Sequence, residues 1–339
     1  MKRFFAVLAA LAMVGGAWWI RQSVIDGDDG AGGGDAVVLR CGSDLRAVCT
    51  RLAEQDDAIQ VSVEDEGTTA DRLAQEGESA DFDAWLAAGP WAGIVADDRQ
   101  QNGLQGDVLG APSAVLARSP VTLVGPNDRM QALTEHCGST PAWACIGDSS
   151  GQPWTAIGGQ QAWGMFRAGL SAPDTGTGLV ALSQAVSSHV GTSSWDRLDL
   201  EESSAWLSQL VGAAVVAPDP LSVLLTRPGS MSVLGTLEQE SGPELATAAN
   251  RDRFTLLYPE PMVTADVTLI PAAGGDAGDL LERIGPDRLA DALAAEGWRV
   301  PDRPTADGVD SGRDLPGGAG LPSAGALQAL RDEWAVLRP

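Results

Sequence analysis

Lysine is all but absent: of the 22 basic residues only Lys2 is a lysine, and the rest are arginines. A Walker loop ends in Gly-Lys-Ser/Thr, so none is present, and no G-x-G-x-x-G follows a strand-like run. The three consecutive glycines at 32–34 sit in a linker-like stretch. Histidine is almost as scarce, with His136 and His189 alone. A serine hydrolase needs a G-x-S-x-G nucleophile elbow served by a base; no such elbow is expected, and two histidines leave little choice of base, so no catalytic pair is expected. His136 adjoins Cys137 and His189 falls late on a helical pattern, which suits surface or capping roles. The cysteines lack C-x2-C spacing, so zinc is disfavoured. Asp26-Gly27-Asp28-Asp29 lacks the twelve-residue calcium loop and its terminal Glu. No metal and no cofactor are expected. Acidic residues outnumber basic ones 46 to 22, for a formal charge of −24; such a surface repels a phosphate backbone, which excludes nucleic acid as a partner.

What is there is a chain of 339 residues, 44% apolar, long enough for one bilobed domain or two of ordinary size. Lys2 and Arg3 precede an uncharged, mostly apolar run from Phe4 to Ile20, closed by Trp18, Trp19 and Arg21. Residues 1–21 therefore read as a signal anchor, with the positive end inside and the Trp pair at the outer interface. A cleavable signal peptide is the rival, since Ala10-Leu11-Ala12 has small residues at a suitable spacing. Residues 22–35 form a flexible acidic tether. Either way the remainder is exported, anchored at the outer face of the membrane or secreted. Cys41/Cys49 and Cys137/Cys145 share one offset. Four cysteines allow three pairings, of which two local bridges are the simplest, each stabilising by about 2–3 kcal/mol.

Beyond the tether, strand-like runs at 36–40, 59–63 and 82–86 alternate with helical patterns at 45–55 and 70–75. That order predicts a parallel sheet with crossover helices, whose ligands sit beyond the carboxyl ends of the strands. The long extended run 113–124, broken by Ser119-Pro120, predicts a crossing into a second lobe. That lobe carries helices near 160–167, 203–210 and 220–225 and a strand at 231–237. Extended runs at 254–261 and 263–270 return to the first lobe. Helices at 279–284 and 287–296, a Pro/Gly/Asp-rich loop at 300–322 and an amphipathic helix at 323–337 complete the chain. The expected first lobe is 36–118 with 254–339, and the second is 119–253.

Pro173-Asp174-Thr175-Gly176-Thr177-Gly178 stands directly ahead of apolar residues at 179, 180, 182 and 186. That spacing suits the first turns of a helix whose free N–H groups, dipole and hydroxyls converge on one spot. An ordinary N-cap is the simpler alternative. Ser43, Thr68 and Ser119 stand at strand ends of the first lobe, opposite Thr175 and Thr177. Jointly they describe a polar, uncharged anion cradle at the interface.

The order of Cys41-Gly42-Ser43-Asp44, the 81–86 strand, Ala117-Arg118-Ser119-Pro120, the 173–179 element and Leu257-Tyr258-Pro259-Glu260-Pro261 resembles the extracellular solute-binding proteins of the type 2 periplasmic-binding fold. The resemblance covers nearly all of 36–339. It implies an α/β architecture of two lobes, each a mostly parallel sheet flanked by helices, joined by two crossing strands. It further implies a non-catalytic, monomeric protein that captures a small polar or anionic ligand between the lobes, for a membrane permease. The 173–178 stretch is similar to the Pro-x-Thr-Ser-Gly element of sulfate and molybdate binders, with Gly176 and Thr177 where that element has Ser and Gly. Ligand-binding candidates are Ser43, Asp44, Thr68, Thr69, Trp91, Ser119, Thr175, Gly176, Thr177 and Tyr258. An anchored sensory or protein-interaction module with a vestigial cleft is the alternative.

Two other groupings carry less. Glu201-Glu202 and Glu238-x-Glu240 read as solvated faces in so acidic a chain. Trp85, Trp91, Trp143, Trp154, Trp163 and Trp195 could stack on a sugar or a cation, but such residues mostly fill cores. Trp91, after Gly89-Pro90, is the best candidate for the cleft.

Overall fold

The strands form where β-branched and aliphatic residues run without interruption. A computed structural model describes residues 36–338. Strands β1 (Val37–Gly42), β2 (Ile59–Glu64) and β3 (Ala84–Ala88) form a parallel set, with β1 between the other two. All five residues of β3 are buried, as befits a strand covered on both faces. Helices α1 (Arg46–Gln55), α2 (Glu66–Leu73) and α3 (Trp91–Gln101) follow the three strands in turn.

The long strand β4 (Ala117–Pro126) then changes partners. Ala117 to Pro120 pair with the returning strand β9 (Thr264–Pro271), which also borders β3. From Val121 onward β4 pairs with β7 (Val233–Leu237) and β8 (Phe254–Leu257). Strands β5 (Ala168–Leu170) and β6 (Val215–Val216) extend that second sheet in parallel beyond β7. Two sheets therefore meet in one strand, and the chain passes between them again over 258–263.

The second sheet carries α4 (Asn127–Cys137), α5 (Trp143–Ser149), α6 (Gly176–Val190), α7 (Arg197–Glu202), α8 (Ser204–Ala213), α9 (Pro220–Thr226) and α10 (Glu238–Thr247). After β9 come α11 (Ala277–Ile284), α12 (Pro286–Ala295) and α13 (Ala324–Leu337). Leu39, Leu86, Val267 and Trp298 lie in one core, and Trp143, Trp154, Phe166 and Leu210 in another. The disulfides are local, Cys41–Cys49 and Cys137–Cys145.

Several expectations shift. The helix expected at 160–167 is a single 3₁₀ turn, Gln161–Trp163, ended by Gly164 at φ 72°. Helix α2 starts at Glu66 rather than Ala70, so Thr68 and Thr69 are helical. Trp91, expected at a strand end facing the cleft, instead opens α3. Strand β8 belongs to the second sheet, and Ala326, Leu330 and Trp334 of α13 pack in the second core. Leu327 of the same helix packs with Trp91 and Ile94, so α13 touches the buried residues of both sides. The anchor expected over 1–21 and the tether over 22–35 lie outside the described residues. Among the described residues no helix is long and apolar enough to cross a membrane.

Candidate functional site

Helix α6 is the axis of the site. Twelve consecutive residues, Gly176 to Ser187, are buried, so its surface is packed all round rather than amphipathic. Leu179 packs with Trp85 and Trp91, Val180 and Ala181 join the first core, and Leu182, Ala185 and Val186 join the second. Gln184 accepts from the Trp143 indole and donates to the carbonyl of Pro261, fastening the helix to the second crossing.

At the helix start Thr175 is the N-cap, its hydroxyl accepting from the Gly178 amide at 3.0 Å. Thr175→Ala is expected to cost about 1 kcal/mol, measurable by urea denaturation. The Thr177 amide donates to Asp44 Oδ2 at 2.6 Å. Asp44 follows the end of β1, so a carboxylate of the first lobe occupies the helix N-terminus of the second. Nearby, the Gly67 amide donates to the Asp174 carbonyl at 2.8 Å. Arg331 of α13 bonds Asp71 at 2.8 Å and Asp174 at 3.0 Å. Together these contacts seam the two lobes.

Beside the seam lies a hollow of about 1200 Å3. The first lobe lines it with Ser43, Asp44, Arg46, Arg51, Glu54 and Asp65, and the second with Ser171, Thr175, Thr177, Asp219, Gln239 and Glu240. Four expected site residues, Ser43, Asp44, Thr175 and Thr177, meet here. Gly176 is buried against the Ala88 carbonyl. Thr68 is exposed on α2, and Thr69 is buried, donating to Glu64 at 2.6 Å. Ser119 is buried at the sheet junction and accepts from the Gln239 amide. Trp91 is fully buried, its indole donating to Ala88 O at 3.0 Å. Tyr258 sits on the second crossing, its hydroxyl donating to Glu238 and its ring under Arg313. Trp85, Trp143, Trp154 and Trp195 are likewise core residues.

The solvated-face reading of Glu238-x-Glu240 is overturned. Glu238 is fully buried and paired with Arg299, and Glu240 is on the wall of the hollow. Sequence reasoning missed Glu240 because, in a chain with so many carboxylates, spacing alone does not mark the one that follows a buried strand.

Burial pushes the Asp44 carboxyl up to about 6, the Thr177 amide offsetting part of the rise. Burial, then the Asp44 charge, holds Glu66 well above the ordinary carboxylate range. Its carboxylate is wholly buried and neither oxygen has a hydrogen-bond partner. Glu240 rises to about 7, again through burial, with Thr236 opposing and Asp44 and Asp219 adding to the rise. Folded forms of these groups bind protons more tightly than unfolded ones, so they penalise folding as pH rises. The penalty is absent below the ordinary values near 4 and is complete above about 7 for Glu240. Melting temperature is expected to fall across that window, and Glu66→Gln to flatten the fall and raise the melting point at pH 8.

A Gly-x-Ser-x-Gly spacing does occur, Gly147-Asp148-Ser149-Ser150-Gly151, and corrects the expectation that such an elbow is missing. Ser149 ends helix α5 instead of standing on a strand-to-helix turn; it is buried and its hydroxyl has no partner. The His189 ring stacks on Trp206 at 4.3 Å between centroids. No serine–histidine pair forms among the described residues' hydrogen bonds.

No family model and no curated protein matches the chain. Solved structures do. Iron-bound HitA from Pseudomonas aeruginosa aligns with a TM-score of 0.59 at 10% identity, covering 90% of this chain and 100% of that one. A periplasmic thiamin binding protein aligns at 0.56 and 13% identity, over 92% and 100% of the two chains. The periplasmic binding protein AfuA from Actinobacillus pleuropneumoniae, with fructose-6-phosphate bound, aligns at 0.54 and 11%, over 89% and 96%. The chain thus has the two-lobed α/β fold of the type 2 periplasmic-binding proteins.

Proposed function

We propose that this chain is an exported, non-catalytic solute-binding protein that captures a small polar solute between its lobes, for delivery to a membrane permease. The observation that carries the reading is the hollow of about 1200 Å3 lined by residues of both lobes, the place where two-lobed proteins close on a ligand. The N-terminal 1–21 segment would hold it at the outer membrane face. The hinge lies at the two crossings, near 119–121 and 258–263, and the lobes divide there, so that β8 falls in the second lobe. Thr175, Thr177, Ser43 and Asp44 contact the solute. An oxyanion cradle is disfavoured, because the amide it needs on Thr177 already donates to Asp44. That same contact favours a second reading, an anchored sensory or interaction module whose cleft is vestigial.

Thermal melting of the full chain in detergent against sugars, amino acids, oxyanions, metals and amines separates the two. A solute at a hundred times its dissociation constant stabilises by about 2.7 kcal/mol, so one class should raise the melting temperature by several degrees. A flat response across the panel would leave the interaction module as the better account.

A further inference from the structure

The charges around the hollow do not balance. Five carboxylates, Asp44, Glu54, Asp65, Asp219 and Glu240, face it against two guanidiniums, Arg46 and Arg51. Arg51 is already bonded to Glu296 outside the hollow. Glu240 has only the Thr236 hydroxyl as a hydrogen-bond partner and forms no ion pair among the described residues. At this wall the Ser43 hydroxyl is shielded without a partner, and outside the lining the fully buried Glu66 carboxylate has no side-chain partner. Glu66 packs on Gly42 so closely that a Cβ there would fall 2.0 Å from its Oε1. Closing the lobes therefore gathers like charge that the protein does not neutralise from its own side chains.

Resting on the cleft being a solute site, we propose that the solute is a cation, an organic amine whose ammonium groups face Glu240 and Asp44. Removing water from these carboxylates is costly unless an opposite charge comes in. An ammonium provides that charge and donates hydrogen bonds to acceptor-only oxygens. Among the described residues the one group of metal-ligating side chains drawn close together is His136, Cys137 and Cys145, whose sulfurs form a disulfide. The carboxylates of the hollow are spread over its wall, which suits an extended organic cation better than a bare metal ion. Elevated proton affinity at Glu240 and Asp44 is the expected mark of carboxylates awaiting such a partner.

Titration calorimetry of the full chain in detergent at physiological salt tests this with three probes: spermidine, the uncharged triethylene glycol of similar length, and sulfate. Spermidine is expected to bind, and Glu240→Gln to weaken it tenfold or more. Asp219→Asn should weaken it by a smaller factor, and it serves as the second variant if Glu240→Gln fails to fold. Asp252→Asn, at a side chain 97% exposed and outside the hollow, should leave binding unchanged. Equal losses in Asp252→Asn and Glu240→Gln would reduce the binding to general attraction by an acidic surface and overturn the proposal. Binding of triethylene glycol or sulfate without spermidine would overturn the ligand class while leaving the cleft a solute site. If no solute binds, here or in the melting panel, both readings fall.

Discussion

Arg299→Ala should lower the unfolding free energy by about 3–5 kcal/mol, because it strands a buried charge. Glu238 is fully buried and Arg299 is 10% exposed, with contacts of 2.6 Å from Nε to Oε2 and 2.8 Å from Nη2 to Oε1. Glu238 also accepts from the Asp310 amide at 3.0 Å and from the Tyr258 hydroxyl. Glu238 opens α10 directly after β7, Arg299 is bridged to Arg118 of β4, and Tyr258 lies on the second crossing. One ion pair thus gathers both crossings, so its loss should loosen the hinge as well as the fold. Arg299→Lys keeps the charge but not the paired geometry and should recover only part of the loss. Urea denaturation measures both, through a lower midpoint at unchanged slope.

Gly176→Ala should cost about 3 kcal/mol, at the upper end of ordinary overpacking. A Cβ at Gly176 would lie 2.2 Å from the Ala88 carbonyl oxygen and 2.9 Å from Asp44 Oδ2. The first neighbour is backbone of a strand buried along its whole length, so the space cannot be made by a rotamer change. The damage falls at the seam between the lobes. Gly212→Ala is the control: it lies in α8, a Cβ there meets nothing within 4 Å, and it should stabilise by about 0.5–1 kcal/mol through the lower entropy of the unfolded chain. Equal behaviour of the two variants would contradict the packing described for α6.

Much of the architecture was legible because strand periodicity and turn residues are local signals. The alternation of strand and helix through residue 86, the extended run crossing at Ser119-Pro120 and the buried helix after Thr175 all announced themselves. What stayed hidden depends on tertiary placement. Trp91 follows a strand end with a Gly-Pro turn, just as a cleft residue would, yet it opens α3 and its indole turns into the core. Thr175 and Thr177 looked like an anion cradle because sequence shows a helix N-terminus without showing what meets it. The filler, Asp44, comes 133 positions earlier. Glu238 and Glu240 lie two residues apart, but they do different work, since one is buried in an ion pair with Arg299 and the other faces the hollow. Spacing in an acidic chain carries no such distinction.

The distance between the lobes, with and without a solute that raises the melting temperature, tests their closure on a ligand most directly. Spin labels at Gln60→Cys on β2 and Thr226→Cys at the end of α9, both on exposed residues, report it by pulsed electron resonance. A broad distribution is expected that narrows and shifts to shorter distance as solute is added, with Glu240→Gln requiring more solute for the same shift. An unchanged distribution at saturating solute would contradict closure of the lobes on a ligand.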